Sequence, residues 1–236
     1  MSTSLAVAGT QHGRALLFRV PAGIPMVLDV SLVPLLVPVR DDNGRAPHRS
    51  APRGLSRVGV IGNHLPRQCG IATFTTALRD AIAVAFPALD AQVVAMNDPG
   101  PSHAYPASVR FSIADHDIAA YRRAADYLNG AHLDAVSVQH EYGIFGGRAG
   151  ALVLTLLREL RMPIVTTLHT VLAAPDPAQR RVLDEILRLS ARVVVMSNHA
   201  ATLLAEVHAM SADRIDVIPH GIPTEMFSRG DKDTIG

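Results

Sequence analysis

The sequence predicts an α/β protein: a doubly wound, mostly parallel sheet covered by helices on both faces. Three observations lead there. From Arg57 onward, short β-branched apolar runs alternate with segments of helical period. The runs are nearly continuous in apolar residues, as strands buried on both faces must be. Polar and glycine residues follow one run after another, which right-handed crossovers would gather along a single edge of the sheet.

The elements follow in order. The first strand is Val58–Ile61, within Arg57-Val58-Gly59-Val60-Ile61-Gly62. It empties into a loop that opens a helix at Gly70, predicted over Ile71–Ala85. Strands at Gln92–Ala95 and Val109–Ser112 precede a helix over Ile118–Asn129. Strand Ala135–Gln139 leads to a helix over Gly150–Leu160. Pro163 starts the next strand, Ile164–Leu168, at a first position where a missing N–H is tolerated. A helix over Pro177–Leu189 and a strand at Arg192–Met196 come next. Ser197 can cap the helix Asn198–Val207, and Ile215–Ile218 is the last strand.

Residues 1–56 differ. They hold Pro21, Pro25, Pro34, Pro38, Pro47 and Pro52 and the polar run from Arg40 to Arg45. Proline at this frequency prevents regular helix and weakens central strands. The expectation is a Pro-rich, loosely ordered leader over 1–56 that packs on the domain in places. Leu16–Val20 and Val27–Val33 can form short edge strands. Residues 57–236 form the domain. No internal repeat is present.

Composition narrows the function. Of 236 residues 48% are hydrophobic, enough for a sizeable core. Only 18% are charged and the formal net charge is +1, so no strong field draws nucleic acid or an acidic membrane. Aromatics are 4% with no Trp, which argues against a stacking platform for single strands. The single Cys excludes an internal disulfide framework and fits a reducing compartment. The start lacks a basic region followed by an apolar block. The stretch Ile24 to Val39 is too short to span a bilayer and is broken by Pro25, Pro34, Pro38 and Asp29. A cytoplasmic protein with no transmembrane segment and no nucleic-acid partner is expected.

The strand ends carry the chemistry. After the first strand comes Asn63-His64-Leu65-Pro66-Arg67-Gln68-Cys69-Gly70. The helix beginning there exposes backbone N–H groups and the positive end of its dipole, which suit an anionic or polyol ligand. A plain strand-to-helix turn, with Gly70 only relieving crowding, accounts for the same spacing. Gln139 is followed by His140-Glu141-Tyr142-Gly143-Ile144-Phe145-Gly146, Leu168 by His169-Thr170, Met196 by Ser197, and Pro219 by His220-Gly221. One such histidine is commonly structural; three on one edge favour a binding cleft.

Several chemistries lack their signatures. There is no G-x-G-x-x-G after the first strand, no Walker-type loop and no G-x-S-x-G elbow. His140-Glu141 begins like H-E-x-x-H, but Ile144 stands where the second histidine would be. His140, His169 and His220 could bind a metal from three loops, and a metal-dependent hydrolase remains a lesser alternative. No metal is expected. Cys69 has no neighbouring base in sequence and reads as a small half-buried thiol.

Five segments together resemble a known family: Arg67 to Phe74 (RQCGIATF), Gln139 to Gly147 (QHEYGIFGG), Thr166 to Leu172 (TTLHTVL), Val193 to Ser197 (VVVMS) and Val217 to Pro223 (VIPHGIP). In order and spacing they are similar to the amino-terminal half of family-4, or group 1, GT-B glycosyltransferases, from roughly residue 57 to 224. The resemblance implies a Rossmann-like domain that is one half of a GT-B architecture, binding mainly the acceptor. A second domain binds the nucleotide-sugar donor. Hexose transfer retains the anomeric configuration and needs no cofactor; the nucleotide sugar is a substrate.

By the same resemblance His169 is the catalytic residue beside the donor sugar. Arg67, Gly70 and Ile71 form the loop approaching the diphosphate. His140, Glu141, Tyr142 and Gly146 bind the acceptor. Thr170, Ser197, His220 and Gly221 edge the cleft. The alternative for Glu141 is to cap its own turn, and for His220 to pin the last strand. The sequence ends at Gly236, where the family begins its donor-binding domain, so the expectation is a truncated chain or half of a split enzyme. It would have little activity unless a donor-binding domain is supplied in trans. A non-catalytic binding module is the alternative.

Overall fold

The computed structural model describes residues 9–10, 13–18, 26–29, 55–100 and 103–219. Seven strands form one sheet: β4 (Arg57–Gly62), β5 (Asp90–Asn97), β6 (Val109–Ala114), β7 (Ala135–His140), β8 (Ile164–Leu168), β9 (Arg192–Val195) and β10 (Ile215–Val217). Their order is β10-β9-β8-β7-β4-β5-β6, and every pairing is parallel. The expected mostly parallel sheet is wholly parallel, in a doubly wound, Rossmann-like arrangement. The chain runs outward from β4 in one direction, then crosses back to β7 beside it. That reversal opens a crevice beyond the ends of β4 and β7, where such sheets bind ligands.

Helices α1 (Gly70–Ala85), α2 (Ile118–Gly130), α3 (Val153–Leu157), α4 (Pro177–Leu189) and α5 (Asn198–His208) cover the sheet. Each long helix starts at a side-chain cap. Cys69 caps α1, Asp117 caps α2, Asp176 closes a capping box with Gln179 on α4, and Ser197 caps α5 as the sequence suggests. The largest core cluster joins Ile61, Val136, Val138, Ile164 and Leu168 to Tyr121, Leu128, Leu156 and Ile186. A smaller one packs Leu78 of α1 on Val60 and Val93.

Two expectations need correction. The helix predicted over Gly150–Leu160 is a 3-10 turn at Arg148–Gly150 followed by the short α3. Ala149 (φ 56°) and Gly150 (φ 76°) lie in the left-handed region, which interrupts a right-handed helix. The strands expected near Leu16 and Val27 do not edge the main sheet. β1 (Gly9–Thr10), β2 (Gly13–Phe18) and β3 (Met26–Asp29) pair antiparallel in a separate sheet.

Candidate functional site

The site is built from the loops that leave β4, β7 and β8. At the first, Cys69 Sγ accepts from Ala72 N–H at 3.4 Å and from Asn63 Nδ2 at 3.3 Å. The cap so made leaves the Gly70 and Ile71 N–H groups ahead of it, at the positive end of a 16-residue helix. Gly70 is exposed, and a Cβ placed on it would meet nothing within 4 Å. The opening turn of α1 thus borders open space. Arg67 Nη2 pairs with Asp98 Oδ1 at 2.9 Å, tying the loops after β4 and β5 together.

β8 delivers His169 to the same place. Its backbone N–H donates to His140 O at 3.0 Å. Its ring Nε2 lies 3.1 Å from Gln139 Oε1, and its ring makes a T-shaped contact with Phe74, centroids 4.8 Å apart. Phe74 is on the first turns of α1, so the α1 loop, β7 and β8 converge on His169. Next to it, Thr170 Oγ1 donates to Glu141 Oε2 at 2.5 Å, and Glu141 Oε1 accepts from Tyr142 N–H at 2.8 Å. Glu141 therefore both caps its own turn and bridges the β7 and β8 loops.

His140 has no exposed surface. Its ring stacks on Phe145 and meets the Tyr142 ring edge-on. Neither ring nitrogen has a partner. Burial, with a smaller contribution from His169, pushes its pKa down to about 4, so the imidazole is neutral at pH 7. Burial, helped by the Glu141 carboxylate, raises the Tyr142 phenol to about 12.

Gly146 is a packing position. A Cβ there would stand 1.8 Å from Asp115 O, and its N–H donates to the Tyr121 hydroxyl at 2.9 Å. Ser197 sits at the rim as the α5 cap, accepting from Ala200 N–H at 3.2 Å. His220 and Gly221 lie outside the described residues. Among the described residues no group of three or more His, Cys, Asp or Glu is placed to hold a metal ion. None of their helices is long and apolar enough to cross a membrane.

Gln139 and Phe74, two of the side chains in contact with His169, carry no role in the sequence reading. The available signal was the pair Ser137 and Gln139, two polar side chains on one face of a strand that is buried on both faces.

Comparison with known proteins identifies the family of the chain. The sequence profile described as Glycosyltransferase Family 4 matches residues 81–226. The chain belongs to glycosyltransferase family 4. A curated relative of this family-4 domain, the D-inositol 3-phosphate glycosyltransferase of Segniliparus rotundus, is 31% identical over 107 residues, 41% of this chain and 23% of the relative. An α-glucosyltransferase solved with UDP and a 13-mer DNA containing an HMU base has 15% identity and a TM-score of 0.41, over 59% of this chain and 37% of that one. The catalytic domain of starch synthase IV from Arabidopsis thaliana, bound to ADP and acarbose, has 11% identity and a TM-score of 0.45, over 74% and 53%. The chain thus matches less than a quarter of the curated relative's length.

Proposed function

We propose that this domain forms the acceptor-side wall of a retaining hexosyltransferase that uses a nucleotide sugar. The observation that carries the reading is the convergence of the α1 N-terminus, His169 and the Glu141–Thr170 bridge at the switch point of a family-4 domain. The reaction transfers a hexose from a leaving diphosphate to an acceptor hydroxyl. Positive charge develops on the sugar ring and negative charge on the diphosphate. The Gly70 and Ile71 N–H groups face the diphosphate in this reading. His169 hydrogen-bonds the sugar near its anomeric carbon. Glu141 and Tyr142 contact the acceptor, with His140 as the packed layer behind them. Arg67 positions the α1 loop through Asp98.

Stabilising both charges takes groups from two walls. Turnover therefore needs a donor-binding domain opposite this one, wherever that domain is encoded. The test is to assay nucleotide sugars with the chain alone and with a family donor-binding domain added. Transfer should appear only in the mixture, and His169→Ala should then lower kcat about 10²-fold or more. Unchanged kcat in a folded variant would remove His169 from the reaction. Tight binding of a partner with no transfer under any donor would favour a non-catalytic module.

A further inference from the structure

The side chain of Gln139 has a seat prepared for it. It is fully buried on β7, the central strand beside the switch point. A buried carboxamide is costly unless hydrogen-bonded, and here both ends are used. Oε1 lies 3.1 Å from His169 Nε2, and Nε2 donates to Ser137 Oγ at 3.0 Å. Across the sheet Gly62 follows Ile61, the register partner of Val138, which puts it beside Gln139. A Cβ on Gly62 would come within 3.0 Å of Gln139 Cβ and 2.9 Å of Thr75 Oγ1. The missing side chain at position 62 is what makes room for the glutamine stem. An apolar residue would fill the same place at lower cost, so the polar group calls for a reason beyond packing.

We infer that Gln139 is a positioning residue that sets the tautomer and the ring plane of His169. In the arrangement seen, the carboxamide nitrogen donates to Ser137 Oγ and the carboxamide oxygen faces His169, where an oxygen can only accept. It therefore selects the imidazole protonated at Nε2. The ring is held by Nε2–H on Gln139 and by the T-shaped contact with Phe74, above a backbone anchored by its N–H on His140 O. For catalysis the inference rests on His169 standing beside the reacting sugar. A side chain preset in one tautomer and orientation loses no time or energy reorganising when charge develops.

The test needs neither substrate nor donor domain, so it stands or falls apart from the transferase reading. Histidine-ring ¹⁵N NMR of the whole chain, at a pH where the rings are neutral, reports the tautomer; His169→Gln assigns the signal. The wild-type ring should be protonated at Nε2. Gln139→Leu should release it into a mixture of tautomers, while Gln139→Glu, whose carboxylate still accepts, should keep Nε2–H. A wild-type ring protonated at Nδ1 overturns the inference. So does an unchanged tautomer in Gln139→Leu that retains its circular dichroism. Should Gln139→Leu not fold, Gly62→Ala, which pushes the glutamine stem aside, replaces it with the same expected loss.

Discussion

Where β7 and β8 end, the two faces of the sheet treat polar side chains in opposite ways. His140 turns toward the face covered by α2 and α3, into a shell of Phe145 and Tyr142 that gives its nitrogens nothing to bond. Gln139, one residue earlier and so on the other face, sits under the opening turns of α1 and reaches His169. One face uses its histidine as volume, while the other uses a buried glutamine to aim one. Neighbours in sequence therefore have unrelated duties, and the pleat of the strand divides them.

The first way to break this comparison is to disturb the packed face. Gly146→Ala drives a methyl into Asp115 O and displaces an N–H from the Tyr121 hydroxyl. The expected loss is about 3 kcal/mol or more. Gly70→Ala, on the open side, should change stability by less than about 0.5 kcal/mol. Urea denaturation of the two variants measures both. Equal losses would mean that the α1 loop is as tightly packed as the Gly146 turn.

Titration sharpens the comparison next. An unfolded histidine takes its proton near pH 6.5, whereas His140 in the fold does so only near about 4. Between those values the unfolded state binds more protons, so stability falls as the pH falls. The contribution is fully present above pH 6.5 and is lost down to about pH 4. From about pH 7.5 to about pH 4.5 this one group should remove roughly 2 to 3 kcal/mol. His140→Leu should lack that part of the decline in paired urea titrations. Parallel curves for the two proteins would show that His140 is not the buried neutral group described.

Much of the fold was legible in the sequence because parallel buried strands write themselves as apolar runs. Helix α4 has the expected bounds, and every strand of the main sheet lies within two residues of its reading. What could not be read was set by contacts distant in sequence or by backbone alone. Nothing about Ala149 announces a left-handed φ, so the sequence predicts a longer α3 than the fold contains. The convergence of strand-end residues was visible as an order of motifs. Which of them face ligand and which face core was not, because that depends on the register of β7 against β4 and β8. Gln139 lies within the motif from Gln139 to Gly147, yet its contact with His169 exists only through that register.

The finest comparison is between two buried threonine hydroxyls, one on each face. Thr166, with Val136 and Val138 behind it, shares a 2.7 Å hydrogen bond with Ser190 Oγ. Thr75 of α1 lies beside Gly62, and its hydroxyl has no partner. Replacing either by Val keeps the shape and removes the oxygen. At Thr166 the change breaks a satisfied buried pair, although Ser190 keeps its bond to Ile186 O at 2.8 Å; the expected cost is about 1 kcal/mol. At Thr75 it removes an unsatisfied group, so stability should stay level or rise slightly. A stabilised Thr75→Val would mean that the α1 face carries more polarity than its packing needs, as a face reserved for aiming a ring requires. A cost at Thr75 equal to that at Thr166 would show that its hydroxyl is bonded in solution, and the contrast between the two faces would then narrow to Gln139 alone.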